Sequence, residues 1–244
     1  VGHASNFLGT VNDVATICAA ARNVGAVAVV DAVQSAPHLL IDVAAIGCDL
    51  LSASAYKFFG PHAAVMFVSR ALQARIPPLK VRPSADVMPT RLSPGTPSFE
   101  AQAGTLAAIE HIASLGAGSA AAPLRQRLAA GYAAIAAHEA DLSRQFLAGL
   151  AGIKGLTLHG IANTNRLAER VPTFTFTLDG CPANRAAAAL AAQNIFAWSG
   201  YYYAWEPAGV LGLRDGPGAV RVGLSHYNDA ADVDRLLGAI AALA

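Results

Sequence analysis

The sequence predicts an α/β domain with a parallel-rich sheet, followed by a small α+β C-terminal domain. Runs at 26–30, 50–54 and 63–68, the first of them apolar and β-branched, alternate with helical stretches and turn residues, the βαβ grammar of an open sheet. Beyond residue 98 two long helical stretches follow one another, and shorter strand-like and helix-like segments then alternate to the end. These patterns divide the chain into domains 1–120 and 121–244.

Asn12 to Asn23 reads as a helix with Gly25 as its stop, and Ala26 to Val30 as a strand. A continuous apolar run of this kind suits a strand buried on both faces of a parallel sheet. It ends at Asp31. Leu50 to Ser54 leads to Lys57, and Ala63 to Val68 follows Gly60-Pro61. Residues 76–98 form a proline-rich connection. Helices are expected over Phe99 to Leu115 and Leu124 to Gly149. Then come a strand (Thr173 to Leu178), a helix (Pro182 to Gln193), two strands (Ile195 to Trp198, Ala219 to Leu224) and a final helix (Ala230 to Leu243). Gly209 to Gly218 has neither the strand-glycine-helix context nor the lysine of a phosphate loop and reads as a plain loop.

At 54% hydrophobic and 14% charged residues over 244 positions, the chain can bury a sizeable core. Its net charge of +1 offers no footprint for nucleic acid or an anionic membrane. No apolar stretch approaches the roughly 20 residues of a membrane span. Cys18, Cys48 and Cys181 are far apart and show no metal-ligand spacing, so no metal is expected and a reducing, cytoplasmic setting is. The chain opens on Val1 and runs at once into a motif-like segment, which predicts an upstream part.

Ligands of open α/β sheets sit beyond the carboxyl ends of the strands. Asp31 and Gln34 follow one strand, Ser54 and Lys57 the next, and Ser5-Asn6 lies near the start. A carboxylate at a partly buried sheet edge is costly unless it meets a cation or donors. Lys57, one of three lysines, stands among Tyr56, Phe58 and Phe59. The two could form a structural ion pair. Alternatively, a desolvated lysine amine is a nucleophile for an aldehyde. A carboxylate beside it suits the pyridine nitrogen of pyridoxal 5′-phosphate (PLP).

Asp31-Ala32-Val33-Gln34, Ile41-Asp42-Val43, Cys48-Asp49 and Ser54-Ala55-Tyr56-Lys57-Phe58-Phe59-Gly60-Pro61 resemble the core of the class V aminotransferases. Ser5 to Thr10, Pro94 to Pro97 and Val220 to Asn228 extend the resemblance over essentially the whole chain. Within that family the chain is most similar to the cysteine desulfurase/selenocysteine lyase branch, and there to a desulfurase-like subgroup without the catalytic cysteine.

The resemblance implies a PLP-dependent transferase of fold type I with the N-terminal part of the family fold missing, including the residue that stacks on the cofactor ring. It implies that Lys57 carries the cofactor as a Schiff base and that Asp31 pairs with the pyridine nitrogen. Gln34 would contact the phenolate oxygen, with Ser54, Tyr56 and Thr96 near the phosphate, Thr96 reaching it across a homodimer interface. Asn6 would lie near the substrate, and Arg221 would clamp the α-carboxylate of an amino acid. Lyase, epimerase and aminotransferase chemistry all remain open. Tyr203 stands where the desulfurases carry their thiol, and tyrosine cannot take up sulfur as a persulfide. The alternative expectation is a catalytically incomplete module serving in dimerisation.

Overall fold

The computed structural model describes residues 1–77, 79–93 and 95–244 and forms two compact units. The first comprises residues 1–3 and 13–131, the second residues 4–12 and 132–244.

In the first unit, helix α1 (Val14–Asn23) starts at Asp13, whose carboxylate accepts from the Thr16 N–H at 3.1 Å. Strand β1 (Val29–Asp31) is followed by the short helix α2 (Val43–Ile46), strand β2 (Leu50–Ser54), strand β3 (Ala64–Val68) and the short helix α3 (Arg70–Gln73). Asp42 caps α2 and Gly47 ends it in the left-handed region (φ 69°). The sheet order is β1-β2-β3. β1 and β2 are parallel, with Asp31 opposite Ser52, whereas β2 and β3 are antiparallel, with Ser54 opposite Ala64. The parallel pair is bridged by α2. The antiparallel pair is joined directly by 55–63, too few residues for a parallel crossover.

Val14, Cys18, Val30, Cys48 and Leu51 form the core of this unit. The expectation that the first strand is buried on both faces does not hold. Val30 is fully buried but Val29 is 47% exposed, because α1 and α2 pack against one face only and period-2 alternation turns every second side chain away.

Helices α4 (Phe99–Ser114) and α5 (Leu124–Leu150) follow. A Cβ on Gly131 would lie 2.0 Å from the Ile112 carbonyl oxygen, and one on Gly116 2.4 Å from the Ala130 carbonyl carbon. Glycine at these two positions therefore permits backbone-to-backbone approach. Gly131→Ala is expected to cost about 2–3 kcal/mol of stability as the helices are forced apart, read as a lowered midpoint in urea unfolding.

The second unit carries β4 (Leu156–His159), β5 (Thr173–Leu178), α6 (Ala183–Ala191), β6 (Trp198–Gly200), α7 (Trp205–Val210), β7 (Ala219–Gly223) and α8 (Ala230–Ala241). Its antiparallel sheet has the order β4-β5-β7-β6. Phe174, Phe176, Val220 and Val222 pack with Phe146 of α5, Leu190 of α6 and Val233 and Ile240 of α8. Buried Arg170 stabilises the edge of this core through the Val171, Ile161 and Thr173 carbonyls and the Phe174 ring, 4.0 Å away. Burial lowers its pKa to about 10.

The expected strand at 195–198 begins three residues later. Asn194 turns left-handed (φ 57°) and the Ile195 N–H still bonds back to Leu190, so the helix ending consumes these residues. The expected plain loop at 209–218 opens on the end of α7, whose Pro207 lies in the first turn where its missing N–H costs nothing. β4 has no β-branched run and escaped the sequence reading.

Candidate active site

The first group of candidate residues lies at the carboxyl edge of β1 and β2. Parallel pairing of Asp31 with Ser52 brings Asp31 beside the stretch that continues to Ser54 and Lys57. Asp31 Oδ1 accepts from the Val33 N–H at 2.9 Å, an Asx turn that orients the carboxylate. Gln34 and Ser54 are half-buried. Lys57 ends a 3₁₀ turn, Ala55–Lys57, inside the β2–β3 connection.

That connection is built around Ala55, whose carbonyl accepts from the N–H groups of Phe58 (2.9 Å) and Gly60 (2.8 Å). A Cβ on Gly60 would stand 3.1 Å from this carbonyl oxygen, and Phe59 is held at φ 71°. Phe58 is buried and anchors the loop. Lys57 Nζ lies 5.6 Å from the Tyr56 ring centroid, and Tyr56 stacks on His62 at 5.0 Å. Thr96 is exposed ahead of α4, and Pro94 lies outside the described residues.

The expected desolvation of these charges is not found within the described residues. Asp31, Tyr56 and Lys57 are exposed. The hairpin loop carries Lys57 past the sheet edge, and the Asx turn engages only one Asp31 oxygen.

The second group lies in the second unit. Residues 5–10 form a tight turn in which Ser5 Oγ accepts from the N–H groups of Phe7 (3.2 Å) and Leu8 (3.0 Å). Gly9 sits at φ 75°, where a Cβ would come 2.5 Å from the Thr173 carbonyl oxygen. This turn delivers Asn6 to Arg221. The Arg221 guanidinium donates to the Asn6 carbonyl at 2.9 Å, while Asn6 Nδ2 donates to the Tyr202 carbonyl at 2.9 Å.

The Arg221 guanidinium carbon stands 4.5 Å from the Tyr202 ring centroid, a cation–π contact. The single hydroxyl hydrogen of Tyr202 is shared between the carbonyls of Trp198 (2.8 Å) and Ala219. Burial pushes the Tyr202 hydroxyl pKa upward, so it stays a neutral donor. Burial also draws the Arg221 pKa below its ordinary value, with Tyr202 acting in the opposite sense. A guanidinium remains charged throughout the working pH range.

Tyr202 and Tyr203 both adopt positive φ, 52° and 62°. Left-handed backbone costs a non-glycine residue roughly 1–2 kcal/mol, and the shared hydroxyl bond and the Asn6 bond offset that strain. The consequence is a division of labour. Tyr202 turns inward onto Arg221, and Tyr203 points out, 98% exposed.

Sequence reasoning placed Asn6 and Arg221 together by resemblance alone; the structure brings them into hydrogen-bonding contact. It missed Tyr202, having singled out Tyr203. The available signal was Gly200 at the head of a run of three tyrosines, which marks a turn but not which tyrosine faces in. Cys18, Cys48 and Cys181 are all buried, and burial raises the thiol pKa of Cys18 and of Cys48. Among the described residues no helix is long and apolar enough to cross a membrane.

Residues 1–236 match the family described as Aminotransferase class-V. The aminotransferase-like protein FGM3 of Gibberella zeae is 32% identical over 98% of this chain and 57% of its own length. An uncharacterized protein of Mycobacterium tuberculosis is also 32% identical, over 100% of this chain and 59% of its own. A cysteine desulfurase of Yersinia pestis is 29% identical over 98% and 56%. Among solved structures, the apo cysteine desulfurase of Thermococcus onnurineus superposes with a TM-score of 0.84 at 25% identity, covering 100% of this chain and 58% of that one. The chain thus spans less than two thirds of these relatives, in agreement with a partial fold type I domain. With its α/β fold and its near-complete match, the chain belongs to the class V aminotransferase family.

Proposed function

We propose that the whole protein is a PLP-dependent enzyme acting on an amino acid, with Lys57 as the residue that anchors the cofactor. The observation that carries this reading is the parallel pairing of β1 with β2, Asp31 opposite Ser52, which brings the carboxyl ends of the two strands side by side; Gln34 follows the first strand, and Ser54 and Lys57 end and follow the second. A carboxylate, an amide, a hydroxyl and a primary amine are the donor set that a pyridinium, a phenolate, a phosphate and an aldehyde require, so the residues fit the cofactor. When bound, PLP supplies an electron sink for a carbanion at the substrate Cα.

The chain's own groups have separable tasks. Lys57 would hold the aldehyde of the cofactor, and its amine would be the group to move a proton at the substrate Cα. Asp31 would keep the pyridine nitrogen protonated, and Gln34 would donate to the phenolate oxygen. Ser54, Tyr56 and Thr96 offer hydroxyls to the phosphate, Thr96 from the other subunit of a homodimer. Arg221 receives the substrate carboxylate with the donors that Asn6 leaves available. Asn6 and Tyr202 are positioning residues, one at the edge of the guanidinium and the other at its face.

Persulfide-forming desulfuration is disfavoured. The residue at the position of the thiol in the 199–205 loop is Tyr203, 98% exposed, and the cysteines are buried. A cytoplasmic setting agrees with three free thiols. The alternative reading is a catalytically incomplete module serving in dimerisation, for a chain that spans less than two thirds of its relatives' length. Borohydride treatment of the PLP-incubated whole protein separates the two. The expected result is the mass of the reduced cofactor on the peptide containing Lys57; an unmodified peptide supports the module.

A further inference from the structure

The sheet register places one more aromatic side chain at Arg221. In the antiparallel β6–β7 pair, Trp198 is the direct partner of Arg221. Directly opposed residues stand on the same sheet face with their Cβ atoms about 5 Å apart. On the other flank the partner of Arg221 is Thr175, a small, fully buried residue whose hydroxyl is spent on the Phe7 carbonyl. Arg221 therefore has a closed polar side at β5 and an aromatic side at β6.

Trp198 is 67% exposed, whereas Tyr202, which backs the same guanidinium, is half-buried. The Trp198 carbonyl anchors the Tyr202 hydroxyl, so the backbone beneath the indole is held in place while the ring remains available. An accessible indole beside a cation that is itself braced on two sides has the chemistry of a bipartite recognition site. The cation takes a carboxylate and the ring takes an apolar group a few ångströms from it.

We propose that Trp198 is a specificity-determining residue that makes the Arg221 site select carboxylates bearing a large apolar or aromatic group. The inference rests on Arg221 being the carboxylate clamp of the proposed function, and it assigns that site a substrate class: amino acids with bulky apolar side chains. Trp198 adds the preference, and Arg221 supplies the charge.

The test uses the whole protein carrying Lys57→Ala, so that cofactor chemistry plays no part, with 3-phenylpropionate and propionate as probes. Phenylglyoxal modification of Arg221, mapped by mass spectrometry, reports occupancy. The expected result is protection of Arg221 at about 10-fold lower 3-phenylpropionate than propionate. Trp198→Ala should erase that difference while leaving propionate protection unchanged, and Trp198→Phe should keep most of it. Because the indole is exposed and Trp198 holds Tyr202 through its backbone carbonyl, both variants should keep their unfolding midpoint. Equal protection by the two probes, or a preference that survives Trp198→Ala, overturns the assignment of Trp198 and leaves the clamp standing. Failure of both probes to protect Arg221 overturns the clamp and the inference with it.

Discussion

Replacing Lys57 with alanine in the whole protein is expected to abolish the visible absorbance of bound PLP and to lower turnover by on the order of 10³-fold or more. The size of the effect follows from the number of roles that one amine holds. In the proposed function it captures the aldehyde and moves the proton at Cα, and of the three lysines in this sequence it alone directly follows β2. Lys80 and Lys154 lie elsewhere in the chain, Lys80 paired with Asp86 and Lys154 beyond α5. The substitution should leave stability within about 0.5 kcal/mol, since Lys57 is exposed and the loop is held by Ala55, Phe58 and Gly60. Absorbance titration with PLP and a urea melt on the same sample check both halves. A band of wild-type strength in Lys57→Ala would sink the assignment.

Arg221→Lys is expected to raise KM for the amino-acid substrate by about 10- to 100-fold, the equivalent of losing one charge-assisted hydrogen-bond pair of roughly 1.5–3 kcal/mol. Lysine keeps the charge, but it has no planar face to lie against Tyr202. Nor can it reach the Asn6 carbonyl and a bidentate carboxylate together. kcat should fall much less, because the carboxylate is held alike in ground and transition states. Steady-state kinetics over a range of substrate concentrations make the comparison. A KM within twofold of wild type would mean that Arg221 is a structural arginine. Arg170 contrasts with it, since that guanidinium is buried and donates to three backbone carbonyls from all three of its nitrogens.

Much of the local structure was legible because it is written in residue type. The run Thr173–Leu178 is β-branched and aromatic and forms a strand over the expected residues; Leu50–Ser54 does the same. The long helices at 99 and 124 begin where expected, and Val220 and Val222 turn inward with Arg221 on the opposite face, as period-2 alternation requires. Helix endings were less legible. Asn194 takes a left-handed conformation open to several residue types, so the β6 boundary moved. Burial of β1 was misread because composition reports that a run is apolar and not how many faces find a partner.

For the site, the residue types and their order along the chain determined the candidates. A lone lysine after a strand, an aspartate ending the strand before it and an arginine between two valines carry chemical meaning wherever they are found. Tertiary structure decided which side chains meet. Trp198 is 23 residues from Arg221 in sequence and opposite it in the sheet. Tyr202 rather than its neighbour Tyr203 backs the guanidinium because the backbone there has positive φ, with Asn6, Trp198 and Ala219 supplying the bonds that hold it. Register and the sign of φ are set by contacts among distant segments, and no reading of residues in order contains them.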